Sequence, residues 1–130
     1  LQEGIHDSTL TQLKYPSGVE GHIFVSWLHP FKEHRLVVIG TEAMITFEDS
    51  SEGKPLKLYA KKIDMEKGIP EKIDGPVTLI DYEQKMALTE ELQYFVSHLD
   101  GKKPNIANGQ HALEVTKILI IANKQLKNIG

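Results

Sequence analysis

The 130-residue chain contains no cysteine and only one arginine and one tryptophan. Without cysteine there is no disulfide framework, no thiolate nucleophile and no thiolate-ligated metal, a usage that suits a reducing compartment and gives the expectation of a cytoplasmic protein. Long apolar runs are missing too. The longest, Ile118 to Ala122, falls far short of the roughly 20 residues that a helix needs to cross a bilayer, so no membrane partner is expected. The polar stretch Gln2 to Thr11 holds no charged-then-apolar leader, and a start at Leu1 fits a fragment or a processed product.

Several chemical signatures are also lacking. No G-x-G-x-x-G turn or P-loop spacing occurs, so no cofactor is expected to bind to this chain alone. A G-x-S-x-G elbow is absent, which removes the usual acyl-transfer apparatus and leaves no catalytic residue to nominate. The six histidines, His6, His22, His29, His34, His98 and His111, show none of the i, i+3 or i, i+4 helix spacings of a ligand pair, so no metal is expected. The net charge of −3 comes from interspersed lysine and acid, and without a basic stripe nucleic acid is not an expected partner.

What is present suits one ordinary domain, residues 1–130: the apolar fraction of 40% and charged fraction of 25% exclude a disordered or fibrous chain. Strands come first. Val19, Gly21, Ile23, Val25 and Trp27 alternate with Glu20, His22 and Ser26, the pattern of a half-buried strand, with Phe24 as the exception. Leu10 to Tyr15 reaches it through the turn cluster Pro16-Ser17-Gly18. Arg35 to Ile39 and Ala43 to Glu48 form a second hairpin across Gly40-Thr41, and Leu56 to Ala60 and Val77 to Tyr82 add further β-rich runs.

After Ala87 the period changes to that of helices. Leu88, Leu92, Phe95, Val96 and Leu99 make one helical stripe with Thr89 as N-cap and Asp100-Gly101 as its end. A second helix opens at Asn108-Gly109; Ala112, Val115, Leu119, Ala122 and Leu126 line one face, while Ile118, Ile120 and Ile121 make it apolar nearly all round, which calls for the first helix or another surface to cover it. The expected class is α+β: an open, mainly antiparallel sheet of five or six strands with two C-terminal helices on one face. Phe24, Met44, Tyr59 and Ile80 interrupt the polar side of their strands, so the other sheet face is expected to make a homo-oligomer.

The segment richest in binding chemistry is Trp27 to Arg35. An indole face and directional donors suit a sugar ring, and Lys32 and Arg35 suit a phosphate or uronic carboxylate, for which only the guanidinium offers a planar two-pronged donor. Trp27, His29, Lys32 and Arg35 are therefore the candidate substrate-binding residues. A second reading makes the segment a Pro-shaped connector whose charges are solvated.

The same residues carry a resemblance. Ser26, Trp27, Pro30, Lys32 and Arg35, followed by Leu36 to Thr41 and the acidic turn Glu48-Asp49, resemble the carboxy-terminal domain of the glucose-fructose oxidoreductase, inositol dehydrogenase and rhizopine-catabolism family. Glu91 to Pro104, with Phe95 and then Asn108-Gly109, is similar to the segment that leads into that family's last helix. The resemblance implies a substrate-binding and oligomerisation domain of an NAD(P)-dependent sugar oxidoreductase, nucleotide sugars included. It implies NAD or NADP for the complete enzyme, held by a Rossmann domain in the same or a separate chain. The family's catalytic Lys motif has no match, since Glu71-Lys72 is followed by Ile73 rather than Pro, and Gly4-Ile5-His6-Asp7 lies too close to the first strand for the family's Gly-x-His helix. The alternatives are a stand-alone self-associating interaction module and a small α+β enzyme using His29 or His34 as general base.

Overall fold

Short alternating runs between turn residues favour antiparallel ladders, and the computed structural model forms them throughout. Among the described residues, 5–65 and 68–127, there are eight strands and two helices, an α+β class in which every strand pairing is antiparallel. The chain divides into two compact units, one from its flanks, Leu1–Trp27 with Lys85–Gly130, and one from its middle, Leu28–Gln84. The class is the expected one. The expectation of a single sheet of five or six strands is corrected: the strands form three ladders, of two, four and two strands.

In the flanking unit β1 (Ser8–Lys14) pairs with β2 (Glu20–Ser26). Their turn is closed by bonds from the Tyr15 amide to the Val19 carbonyl and from the Gly18 amide to the Tyr15 carbonyl, each 2.9 Å. Gly18 sits there at φ 85°, a conformation that glycine alone adopts without a steric penalty. Cross-strand partners share a face, so Thr11, Leu13, Gly21, Ile23 and Val25 lie on one side and Gln12, Lys14, Glu20 and His22 on the other, where Leu10 and Phe24 stand opposite each other as an apolar island.

Helix α1 (Ala87–Val96) starts earlier than expected: its N-cap is Met86, which gives no side-chain cap, and Thr89 lies inside the first turn beside Glu90. Ala87 and Leu88 are strong helix formers and extend the helix past the polar signal. It also ends earlier, at Val96. The Tyr94 carbonyl accepts from the Ser97 hydroxyl at 2.8 Å and lies 2.7 Å from His98 Nδ1, local bonds that compete with the next helical turn. Helix α2 (Gly109–Lys127) opens where expected, with Asn108 Oδ1 accepting from the His111 amide at 3.0 Å. Its apolar girdle stays largely exposed, Leu119 at 63%, so α1 does not cover it as expected. One side chain ties the two helices' connection together: the Tyr94 hydroxyl accepts from the amides of Asn105 (2.8 Å) and Ile106 (3.3 Å).

The middle unit is built on a four-stranded sheet in the order β3 (Arg35–Ile39), β4 (Met44–Glu48), β5 (Leu56–Tyr59), β8 (Val77–Leu79). A separate ribbon pairs β6 (Lys62–Asp64) with β7 (Glu71–Ile73). The register puts Ile39, Met44, Tyr59 and Val77 in one row across the sheet, and Val38, Ile45, Leu58 and Thr78 in a row on the opposite face. The Val38 face continues with Leu36, Phe47 and Leu56 and is apolar, whereas the Ile39 face mixes apolar residues with Thr46, Lys57, Arg35 and Glu48. This also corrects the expected association face: Met44 and Tyr59 are direct partners, but Phe24 belongs to the flanking unit, and Ile80 bonds at Leu56, on the side away from Met44. The cause is a single step of register, since period-2 geometry reverses a side chain's face with each residue.

Burial is greatest in β4 and β5. Thr46, at 7% exposure, is the most enclosed side chain among the described residues, and its hydroxyl has no hydrogen-bond partner there. Gly75 closes the far side of the sheet by necessity, because a Cβ at that position would collide with the carbonyl of Ala60.

Candidate functional site

The 28–34 connection bends at Pro30 and Phe31, and two of the candidate residues, His29 and Arg35, meet around a carboxylate that sequence reasoning did not single out. His29 Nδ1 lies 2.8 Å from the Phe31 carbonyl and its ring meets the Phe31 ring edge-on at 6.1 Å, so the imidazole is fixed by its own loop. Its Nε2 faces Glu33 Oε2 at 3.7 Å. The other oxygen of Glu33 takes Arg35 Nη2 at 3.1 Å. Glu33 thus joins two of the four candidate residues, His29 and Arg35. Lys32 is exposed and forms no ion pair among the described residues. Trp27 is 86% exposed at the end of the β1–β2 hairpin, where its amide bonds the Asp7 carbonyl at 2.9 Å; it belongs to the flanking unit, the other three to the middle unit.

A second polar group lies beside this one for reasons of register. Because Arg35 pairs with Glu48, the next residues outward, His34 and Asp49, are brought opposite each other, and the Asp49 amide bonds the His34 carbonyl at 2.9 Å. Asp49 Oδ2 lies 3.8 Å from His34 Nδ1, and Oδ1 takes the Lys54 ammonium at 2.6 Å. The Lys54 hydrogen bond and charge, with a smaller contribution from His34, hold the Asp49 carboxyl below its ordinary value of 3.8, and Asp49 in turn raises Lys54 above 10.5. Glu33, Asp49 and Lys54 were missed; for Asp49 the signal was the hairpin across Gly40-Thr41, whose register fixes what stands opposite residue 34.

Further along the same unit, a cleft of about 240 Å³ opens between the β4–β5 loop and the strap after β8, lined by Glu52, Pro55, Leu56, Ile80 and Asp81 among others. The Tyr82 hydroxyl bonds the Lys54 carbonyl and the Gln84 amide the Gly53 carbonyl, both at 2.7 Å, and the Tyr82 ring meets Phe47 edge-on at 6.1 Å.

Chemically, the Glu33 group can accept hydroxyl protons and donate from a guanidinium and an imidazole, a mixture suited to polyols. It has no nucleophile paired to a base. No three His, Asp or Glu side chains among the described residues converge as metal ligands, and no described helix is long and apolar enough to cross a membrane. At the helix starts, Asn108 Oδ1 accepts from the His111 amide before α2, and α1 follows Met86, which gives no side-chain cap. Comparisons with protein-family models, with curated proteins and with solved structures found no match.

Proposed function

We propose that the chain is the substrate-binding and oligomerisation domain of a cytoplasmic, NAD(P)-dependent sugar oxidoreductase, working with a Rossmann domain of the same or a separate chain. The observation that supports this reading is the middle unit, in which a sheet with one apolar face suited to association ends in the polyol-compatible group of His29, Glu33 and Arg35. His29 and Arg35 address sugar hydroxyls and a uronic or phosphate anion, Lys32 adds an exposed cation, and Trp27 offers an exposed aromatic face on its own unit. The sugar or nucleotide-sugar substrate and the dinucleotide come together only in the complete enzyme; NAD or NADP supplies hydride transfer there, and this chain contributes binding and orientation.

The test has two parts. Calorimetry on the chain alone is expected to find no NAD(H) or NADP(H) binding in the micromolar range. With the Rossmann half supplied, Arg35→Lys is expected to lower kcat/KM roughly tenfold, because the charge stays while the fork is lost. Micromolar dinucleotide binding by the chain alone, or unchanged kinetics in Arg35→Lys, would overturn the assignment. A second reading, a stand-alone self-associating module, is favoured by the Glu33 ion pair that already occupies Arg35; it predicts that no dinucleotide-binding domain is encoded next to the chain.

A further inference from the structure

We infer that β3 is an interface strand that pairs antiparallel with β3 of a second copy, joining two four-stranded sheets into one across a two-fold axis. The reading rests only on the self-association part of the function above and needs neither sugar nor cofactor.

The phase of the β3–β4 ladder shows which backbone groups point outward. The Asp49 amide bonds the His34 carbonyl and the Gly40 amide the Ala43 carbonyl. Inward-bonding positions recur every second residue, so Leu36 and Val38 also bond to β4, while Arg35, Val37 and Ile39 direct their N–H and C=O groups away from the sheet. Among the described residues β3 is an edge, with β4 its sole neighbour in the sheet.

An edge facing water is ordinarily protected by charge, proline or short length. The other edges of the middle unit are. β8 is three residues long and preceded by Pro76, and the β6–β7 ribbon sets Lys62, Asp64, Glu71 and Lys72 around its two isoleucines. β3 offers Leu36, Val37, Val38 and Ile39 in succession, apolar toward both faces, with Leu36 at 61% and Ile39 at 78% exposure. Such an edge is built to be covered by backbone.

The occupant follows from what can match it. A strand laid against β3 must be apolar on both faces to continue both rows, and none of the other described strands with a free edge carries four successive apolar residues as β3 does, β2 coming nearest with Ile23, Phe24 and Val25 between polar residues. Self-pairing centred on Val37 uses all three outward residues at once, Arg35 opposite Ile39 and Val37 opposite Val37, for about six inter-strand hydrogen bonds. Leu36 then faces Val38. The two Arg35 side chains end about four residues apart along the ribbon, roughly 13 Å, beyond the screening length at physiological salt. No like charges are opposed, and the axis is symmetric as a closed dimer requires.

The absence of native cysteine makes the register directly readable. At a hydrogen-bonded antiparallel pair the Cα atoms lie about 5.5 Å apart, within reach of a disulfide. Val37→Cys is expected to cross-link to a covalent dimer on mild oxidation. Leu36→Cys and Val38→Cys are each expected to stay uncross-linked alone and to link when mixed. Val37→Pro removes an outward amide that the chain's own sheet does not use, a substitution edge strands tolerate. It is expected to halve the mass measured by sedimentation while far-ultraviolet circular dichroism is kept. A wild-type chain monomeric at every concentration, a Val37→Pro chain still dimeric, or cross-linking that ignores the 36, 37, 38 pattern overturns the edge pairing. In the second of these cases self-association survives through another surface and the functional reading with it.

Discussion

The β1–β2 hairpin and the middle sheet solve the same problem differently. The hairpin alternates, so one face carries Ile23, Val25 and Leu13 while the other carries Gln12, His22 and Glu20, and its apolar exception is one cross-strand pair, Leu10 with Phe24. The middle sheet alternates only in its central strands. β3 does not alternate: Leu36, Val37, Val38 and Ile39 are apolar toward both faces. Alternation marks a ladder that water is meant to touch on one side, and its loss marks one that needs cover on both. The difference separates a hairpin whose polar side suits water from a strand whose two sides do not.

The contrast can be broken by perturbing one unit and reading the other. The largest effect is expected from Gly75→Ala, since the new Cβ must displace the Ala60 carbonyl. Overpacking of this kind costs about 1–3 kcal/mol. Hydrogen exchange should show β5 and β8 amides losing protection with α2 unchanged; equal loss in both would mean that the two units unfold as one. A smaller effect on the opposite side is expected from Asn108→Ala, which strips the α2 cap at a cost of about 1 kcal/mol. Here α2 amides should exchange faster while β3 to β5 hold.

The smallest effect concerns Asp49. Its carboxyl is lowered in the folded chain, first by the Lys54 hydrogen bond and then by its charge. A depressed folded value means that the contribution is present above the unfolded value and is lost as pH falls through the folded one. The Asp49 titration followed by NMR should have its midpoint below 3.8, and Lys54→Met should raise it. A midpoint unmoved by that substitution would remove Lys54 as the cause. The pair is exposed, so added salt should shrink the shift.

Much of the fold is legible in the sequence, and the reasons are local. Arg35 to Ile39 ends in three β-branched residues, is closed by Gly40, and forms β3 over those residues. Asn108-Gly109 opens α2 because the carboxamide needs only the amide three residues on. The β6–β7 ribbon was not legible, because Lys-Ile-Asp and Glu-Lys-Ile lack any period. Of the site, the residue types were visible and the partners were not. His29 and Arg35 meet through Glu33 because of how the loop folds, and Asp49 reaches His34 only once the hairpin register is known. Thr89 gave a capping signal that Ala87 and Leu88 outweighed.

Lys54 holds a backbone angle of φ 43°, which a lysine adopts at some cost, and its carbonyl is bound by the Tyr82 hydroxyl while Gln84 binds the Gly53 carbonyl beside it. Two side chains from one strap therefore clamp two consecutive peptide units of one loop. The 52–55 loop and the 80–84 strap are thereby fastened to each other at two adjacent points, and these two fastenings set the width of the cleft that lies between them.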